Sequence, residues 1–453
     1  MRIKVGPSAA LIVVAVAVWA GSVESIESAG RFAALVGTTN FGDATLAVKD
    51  RVNANPSIAA AGQFAAVAWG ATEKDGPTDV FVAVSRNAGR AFDRPVRVND
   101  VTGDASLSGE QPPRLSLVPR NGRDPSVVVV WTSKAAGGTR LLQSRSDDGG
   151  TSFSRALRVP SGDGAGNRGW ESITTDRDGH VVAIWLDHRE LAGAAKQTAP
   201  MHHEGQDHTG HAEPAADGSA RAQLSKLYFG RLDGADTPRA LTGGVCYCCK
   251  TAVATGPDGS LFAAWRHVYP GNIRDIAFTV SRDGGRTFAA PLRVSDDRWV
   301  LDGCPENGPA MAVDGRNRLH MVWPTLVNGS TSGSEPTLAL FYAVSSDGRQ
   351  FTPRARIPTE GLPRHPQIAI AASGSVVAAW DEQWKGTRRV VMGRVIANGR
   401  EPVRFTREIL GAAGAVYPAV AAVADGVAVA WTNGPAERSV IHVERLAGSG
   451  AGR

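Results

Sequence analysis

Cysteine is scarce in this chain, with four residues in 453, too few for a fold stapled along its length by disulfides. Charge of one sign is lacking as well. The net charge of +5 is spread over the whole length without a long basic run, which argues against a nucleic-acid partner. Long apolar runs are missing after the N-terminus, where no segment approaches the roughly twenty residues of a membrane helix. Helical periodicity is missing too, so an architecture built on helices is excluded.

The N-terminus is the exception to the missing apolar runs. Arg2 and Lys4 precede an apolar stretch from Ala9 to Ala20, and Val18-Trp19-Ala20 offers a small-residue cleavage site. This predicts a signal peptide over 1–20, a linker over 21–43, and a soluble protein exported to the periplasm or beyond the cell. An uncleaved N-terminal anchor is the alternative.

What the chain has in abundance is repetition. Seven segments close an apolar strand on tryptophan, at Trp69, Trp131, Trp185, Trp265, Trp323, Trp380 and Trp431. Each follows a second apolar strand, beginning at Pro56, Pro113, Glu171, Lys250, Pro309, Pro366 and Pro418, across a turn such as Pro257-Asp258-Gly259. Third and fourth strands follow, as in "DIAFTVSR" and "FAAPLRVS". The period predicts an all-β, seven-bladed β-propeller of four-stranded antiparallel blades over 44–447, with a flexible tail at 448–453. The seventh unit shows only three strands before its Gly-rich tail. Residues 44–53, "ATLAVKDRVN", echo the outer strand "RPVRVN" and are predicted to pair near 439–446 and close the ring.

A recurring turn joins third and fourth strands: "SRDGGRTF" at 281–288, "SDDGGTSF" at 146–153, "SRNAGRAF" at 85–92 and a shortened "SSDGRQF" at 345–351. It resembles the Asp-box (BNR repeat) of sialidases and the wider sialidase-like propeller superfamily. In that reading Ser281, Asp283, Gly285, Thr287, Phe288, Asp148 and Asp347 are structural: the carboxylate bonds N–H groups of its own turn, glycine supplies positive φ, and the aromatic plugs between strands. The resemblance also raises a six-bladed, sialidase-type ring as the alternative.

Strand alternation then sorts the loops. Links between blades share a face with the loops joining second to third strands, and the Asp-box turns lie on the opposite face. The axial face therefore receives "LDHRE" (186–190), "RHVYPGNIRD" (266–275) and "DEQWKG" (381–386). It also receives an insertion in blade three at about 190–224, holding Met201, His202, His203, His208 and His211. Cys246, Cys248 and Cys249 lead into blade four, and Cys304 leads into blade five, so all four are predicted to converge on this face near the insertion.

Two chemistries fit that convergence. Disulfides are one: Cys246 or Cys248 with Cys304, the remaining pair staying inside the cluster, Cys248–Cys249 among the options. A soft-metal site is the other, since thiolate, imidazole and thioether favour copper(I) or zinc. On an extended strand Cys246 and Cys248 would face one way and Cys249 the other, with His188 or His267 available as a further ligand and the histidine tract able to deliver or cap the ion. That tract also reads as an ordinary solvated loop.

The resemblance to sialidases implies a third possibility, a glycoside hydrolase acting on an anionic sugar. Its kit is three arginines on a carboxylate, a Tyr–Glu nucleophile pair and an aspartic acid/base. Tyr417, Glu306, Asp187, Arg189, Arg266, Arg274 and Arg364 are the candidates by topology. The family's N-terminal Arg-Ile-Pro is missing, and the triplet at 356–358 falls in an outer strand. A protein-binding scaffold needs none of these residues. The implied partners are a small molecule, a glycan or a metal ion on the axial face, with a protein partner for the scaffold.

Overall fold

The computed structural model describes residues 40–74, 76–160, 164–195, 218–327, 335–396, 403–411 and 413–448. Seven antiparallel sheets follow one another along the chain, each entered at its innermost strand, with the outer strand of the seventh supplied by the N-terminus. The ring thus has seven blades, and the six-bladed alternative is wrong. Blade four is typical: Ala252–Thr255, Leu261–Tyr269, Ile273–Ser281 and Leu292–Arg293 pair in order. Blade six departs slightly, its outer strand broken into Arg404–Phe405 and Glu408–Gly411.

The seven repeat tryptophans lie within the second strands, which run on past them by two to four residues, and all seven are buried. Each packs among apolar residues contributed by two adjacent blades, as Trp323 does with Phe262, Phe278 and Phe341 between blades four and five. Apolar clusters of this kind run between blades around the ring, so the sheets, polar at their outer edges, bury both faces. That explains why second strands such as "VVVVW" lack polar alternation.

The N-terminal strand does close the seventh blade, but it lies earlier than 44–53. Asn40–Leu46 pairs with Val440–Ala447, Asn40 opposite Leu446 and Leu46 opposite Ile441. The chain then turns at 47–50, with Asp50 at φ +62°, and Arg51–Ala61 is already the inner strand of blade one. Asn53 forces this break. Its side-chain oxygen accepts from Val48 N (2.8 Å) and from the Trp69 indole (2.9 Å), a geometry that a continuous strand could not supply.

The prolines and Glu171 do not mark strand starts in four blades. Inner strands begin upstream, at Arg51, Arg168, Leu362 and Val416, and each pairing slips by a residue at a bulge. The bulge residue has positive φ in every case: Asn55 (+59°), Trp170 (+54°), His365 (+49°) and Tyr417 (+54°). A bulge re-aims the side chain it carries. Here it places a polar or aromatic group at the axial end of each of these strands.

Two short helices, Arg189–Ala195 and Gly218–Gln223, flank the blade-three insertion. Residues 201–211, with Met201, His202, His203, His208 and His211, lie outside the described residues, as do the stretch 1–20 expected to be a signal peptide and the last residues of the tail. Among the described residues no helix is long and apolar enough to cross a membrane.

Candidate functional site

The Ser-x-Asp turns act as local clasps. Asp283 accepts from Thr287 N (2.9 Å), Thr287 Oγ1 (2.6 Å) and Ser281 Oγ (2.8 Å), while Ser281 Oγ accepts from Gly285 N (2.8 Å). The bonds from Thr287 hold the Asp283 carboxyl down at about 2. Asp148 repeats the arrangement with Ser146 and Ser152, and Asp347 with Ser345, Arg349 and Gln350. Phe288 meets Phe229 of the preceding blade edge-on at 5.0 Å. Nothing in these turns is left over for chemistry.

The axial face is built differently. Gly244 to Cys246 run beside the second strand of blade four, with Cys246 N donating to Arg266 O (2.9 Å) and Val268 N to Gly244 O (2.8 Å). Gly244 has φ +70°, and a Cβ there would lie 2.7 Å from the His267 ring, so the close approach needs glycine. The chain then turns through 247–249. Cys246–Cys249 is therefore not an extended strand, and the predicted opposition of Cys249 to its neighbours does not occur. Cys249 donates to Cys246 at 3.6 Å, Cys246 and Cys248 are 3.8 Å apart, and all three sulfurs lie within 4.8 Å of one another.

Cys304 reaches this cluster from the link to blade five and is disulfide-bonded to Cys248, their Cα atoms 6.1 Å apart. Cys246 and Cys249 are free and buried, so no Cys248–Cys249 bond exists. Arg274 anchors the arrangement: Nη1 donates to Cys246 Sγ (3.0 Å) and Nε to Leu301 O (2.7 Å). Burial opposes ionisation of the Cys246 thiol, but the Cys249 S–H and the Arg274 and Arg266 guanidiniums outweigh it and lower its pKa. Burial and the neighbouring Cys246 raise that of Cys249.

His267 is not a ligand of this cluster. On its strand Val268 faces the sulfurs, and His267 points the opposite way, accepting from the Trp265 indole (3.3 Å) and lying against Tyr269 (4.5 Å). Burial, with Arg293 nearby, pulls its pKa down to about 4. His188 tilts against Trp170 at 5.1 Å, and burial takes it to about 4 as well. Among the described residues no imidazole or carboxylate joins the three sulfurs.

The other candidates are dispersed around the face. Arg266 donates to Asn307 O, Arg274 O and Pro324 O (2.6 to 3.0 Å) and lies over Trp299, tying blade four to blade five. Asp187 is buried and bound by Arg189 (2.6 Å) and Arg168 (3.4 Å); burial opposes its ionisation, but the Arg189 bonds prevail and lower its pKa. Glu306 is exposed at φ +47°, and Arg364 pairs in register with Asp381. Tyr417 is half-buried, with His365 at 4.6 Å and the Arg388 guanidinium at 4.9 Å from its ring. The structure does not gather Arg189, Arg266 and Arg274 around Tyr417, since each is committed elsewhere.

The sequence reading missed a buried ionic cluster at the axis. The turn 108–111, in the link from blade one to blade two, inserts into the middle of the face. A Cβ on Gly109 would lie 1.8 Å from the Tyr417 ring, and Gln111 fills the space over Gly169. Glu110, between them, accepts from Lys250 N (2.9 Å) and Gly308 N (3.2 Å), bridging to blades four and five. Lys250 is buried and donates to Pro366 O (2.6 Å); burial lowers its pKa to about 8 against the pull of Glu110. Burial raises Glu171 to about 7, with Arg114 partly offsetting it. Asp381, fully buried, accepts from His365 (2.8 Å), Arg388 and Tyr417 N (3.2 Å). Only Asp381 had a sequence signal, its place in the polar loop 381–386.

Beside this cluster a cleft of about 510 Å³ opens between blades six, seven and one, lined by Tyr417, Arg388, Gln383, Asn55 and Thr432 among others.

No family model matches this chain, and no curated protein matches it. Solved structures do. A protein of unknown function from Dyadobacter fermentans aligns over 91% of this chain and 100% of its own, at 14% identity and TM-score 0.50. A GH93 α-L-arabinofuranosidase of Fusarium graminearum aligns over 90% and 98%, at 12% identity and TM-score 0.50. A PL25 ulvan lyase aligns over 91% and 96%, at 10% identity and TM-score 0.51. At these identities the likeness is one of fold.

Proposed function

We propose that this protein is an exported propeller of the sialidase-like, Asp-box kind that holds a soft metal ion, copper(I) or zinc, on its axial face. One observation carries the reading: three cysteine sulfurs lie within 4.8 Å of one another in a buried turn, with an arginine against one of them. Sulfurs bound at about 2.3 Å to one ion lie about 3.8 Å apart in tetrahedral and about 4.0 Å apart in trigonal geometry. The separations of 3.6 and 3.8 Å come close to both. Arg274 would compensate the surplus negative charge of bound thiolates and orient Cys246. The test is elemental analysis. Reduced protein should retain at least one equivalent of copper(I) or zinc through dialysis, and Cys246→Ser should abolish retention. Deleting 201–211 should slow uptake if the histidine tract delivers the ion. A reduced wild type that retains no metal overturns the proposal.

A second reading has its own observation. The cleft beside Tyr417 and Arg388 offers an aromatic ring, a guanidinium and side-chain amides, the groups that bind a glycan. Carbohydrate-active propellers among the fold neighbours are consistent with it. Tyr417 has His365, Arg388 and Asp381 as partners rather than the Tyr–Glu pair of sialidases, so this reading is of glycan binding, with an anionic sugar set against Arg388.

A further inference from the structure

Cys248 belongs to two groups at once. Its sulfur is bonded to Cys304 and also stands 3.8 Å from Cys246, inside the three-sulfur cluster. A sulfur in a disulfide has no charge to give a metal, so the cluster offers two thiol ligands in this state and three once the bridge is opened. We propose that Cys248 is a redox-shared ligand, so that reduction of the Cys248–Cys304 bridge converts a two-thiol site into a three-thiolate site selective for copper(I). This rests on the soft-metal reading above and adds its regulation.

The surroundings of the bridge fit this role. Cys304 lies in the link 301–306 and is half-exposed, whereas Cys246, Cys248 and Cys249 are buried. A solvent-borne thiol therefore reaches the bridge from the Cys304 side. The balance is that of ordinary exchange. A dithiol reductant attacks Cys304, the Cys248–Cys304 bond breaks, and Cys248 leaves as thiolate. The second reductant thiol then displaces Cys304, the reductant leaves as its disulfide, and two electrons have entered the protein. Copper(I) binding displaces the protons still held on Cys246, Cys248 and Cys249 into solvent.

The order of selectivity follows from the donor count. Zinc is almost always four-coordinate in closed protein sites, and among the described residues no imidazole or carboxylate, nor the Cys304 sulfur, stands within 4.8 Å of all three sulfurs. Copper(I) prefers soft thiolate donors, which are all this site offers. Arg274 links the two states, since one guanidinium holds both Cys246 Sγ and Leu301 O, at the start of the link that carries Cys304.

The test uses the full-length protein with the bridge intact or opened by a dithiol, titrated anaerobically with copper(I) against a chromophoric copper(I) chelator after the reductant is removed. Reduced protein should bind about tenfold or more tightly than oxidised protein, because a third thiolate is recruited. X-ray absorption should count three sulfurs at copper in the reduced state and two in the oxidised state. Cys304→Ser frees Cys248 permanently and should bind as the reduced wild type does without any reductant. Equal affinity and equal sulfur count in both states would overturn the redox gating while leaving the metal site standing. Failure of copper(I) to bind in either state would also overturn the gating, and failure of zinc as well in the same titration would remove the metal reading itself.

Discussion

The two faces of the propeller use the same residue types in opposite ways. On the turn face Asp283 and Asp148 draw their donors from within four residues, and their carboxyls are held at about 2 at the surface. On the axial face Asp381, Glu110 and Glu171 are buried, and each has a partner on another blade: Glu110 bridges to Lys250 and Gly308, 140 and 198 residues away, Glu171 meets Thr132 of blade two, and Asp381 joins His365 and Arg388 of its own blade to the backbone of Tyr417 on blade seven. A carboxylate satisfied locally shapes its own turn. A carboxylate satisfied from a distance holds blades in register, and at Glu171 burial leaves it expensive to ionise. The axial face is thus where the fold accumulates charge that water does not screen, which is the setting in which thiols and acids acquire unusual chemistry.

The largest effect that would test this contrast is at Asp381. Asp381→Ala takes an acceptor from Arg388, His365 and the Tyr417 backbone at once and leaves a guanidinium largely enclosed without its counter-charge. Breaking a buried pair from one side costs about 4 kcal/mol. Urea unfolding should show a loss of that order, and the cleft beside Tyr417 should lose ligand binding with it. A loss no greater than that of a turn-face aspartate would erase the distinction between the faces.

A second effect concerns pH. Glu171 stands at about 7 in the folded protein against 4.5 in an open chain, because burial penalises its charge more than Arg114 and Thr132 compensate it. The folded state therefore holds this proton more tightly than the unfolded chain does. The associated stability is fully present below about pH 4.5 and is lost as pH rises to about 7, roughly 3 kcal/mol in all. Glu171→Gln keeps the shape without the charge. Its stability advantage over wild type should be absent at pH 4 and grow to about 3 kcal/mol by pH 8. An advantage independent of pH would show that Glu171 is ionised at the axis like any surface acid.

How much of this was legible in the sequence follows the same division. The blades were readable because each tryptophan sits at the end of an apolar run, a local pattern repeated seven times. Convergence of the cysteines on neighbouring blades followed from that count, but the direction of each sulfur did not, because 246–249 forms a turn where alternation was assumed. Proline was read as a strand start and marks a bulge in blades one, six and seven, since a residue without N–H fits where the ladder slips. Arg266 and Arg274 fall in a polar stretch on the axial face, which from sequence alone makes them candidates to clamp a substrate. Both are instead buried between backbone carbonyls and a thiol, contacts supplied largely by the Cys246 turn, the Cys304 link and blade five. Glu110 had no local signal at all.

The smallest expected effect lies on the turn face. Asp283→Ala removes the acceptor for Thr287 N and Thr287 Oγ1 and the partner of Ser281 Oγ. Those donors turn to water, because the turn is half-exposed, so the cost is that of a net hydrogen bond rather than of a stranded charge, about 1 kcal/mol. The melting temperature should fall by a few degrees, with metal retention and binding at the Tyr417 cleft unchanged. The outcome that matters is the combination. A variant with an unaltered melting temperature and lost binding would mean that the working surface is the turn face, and the buried charges of the axis would then be struts alone.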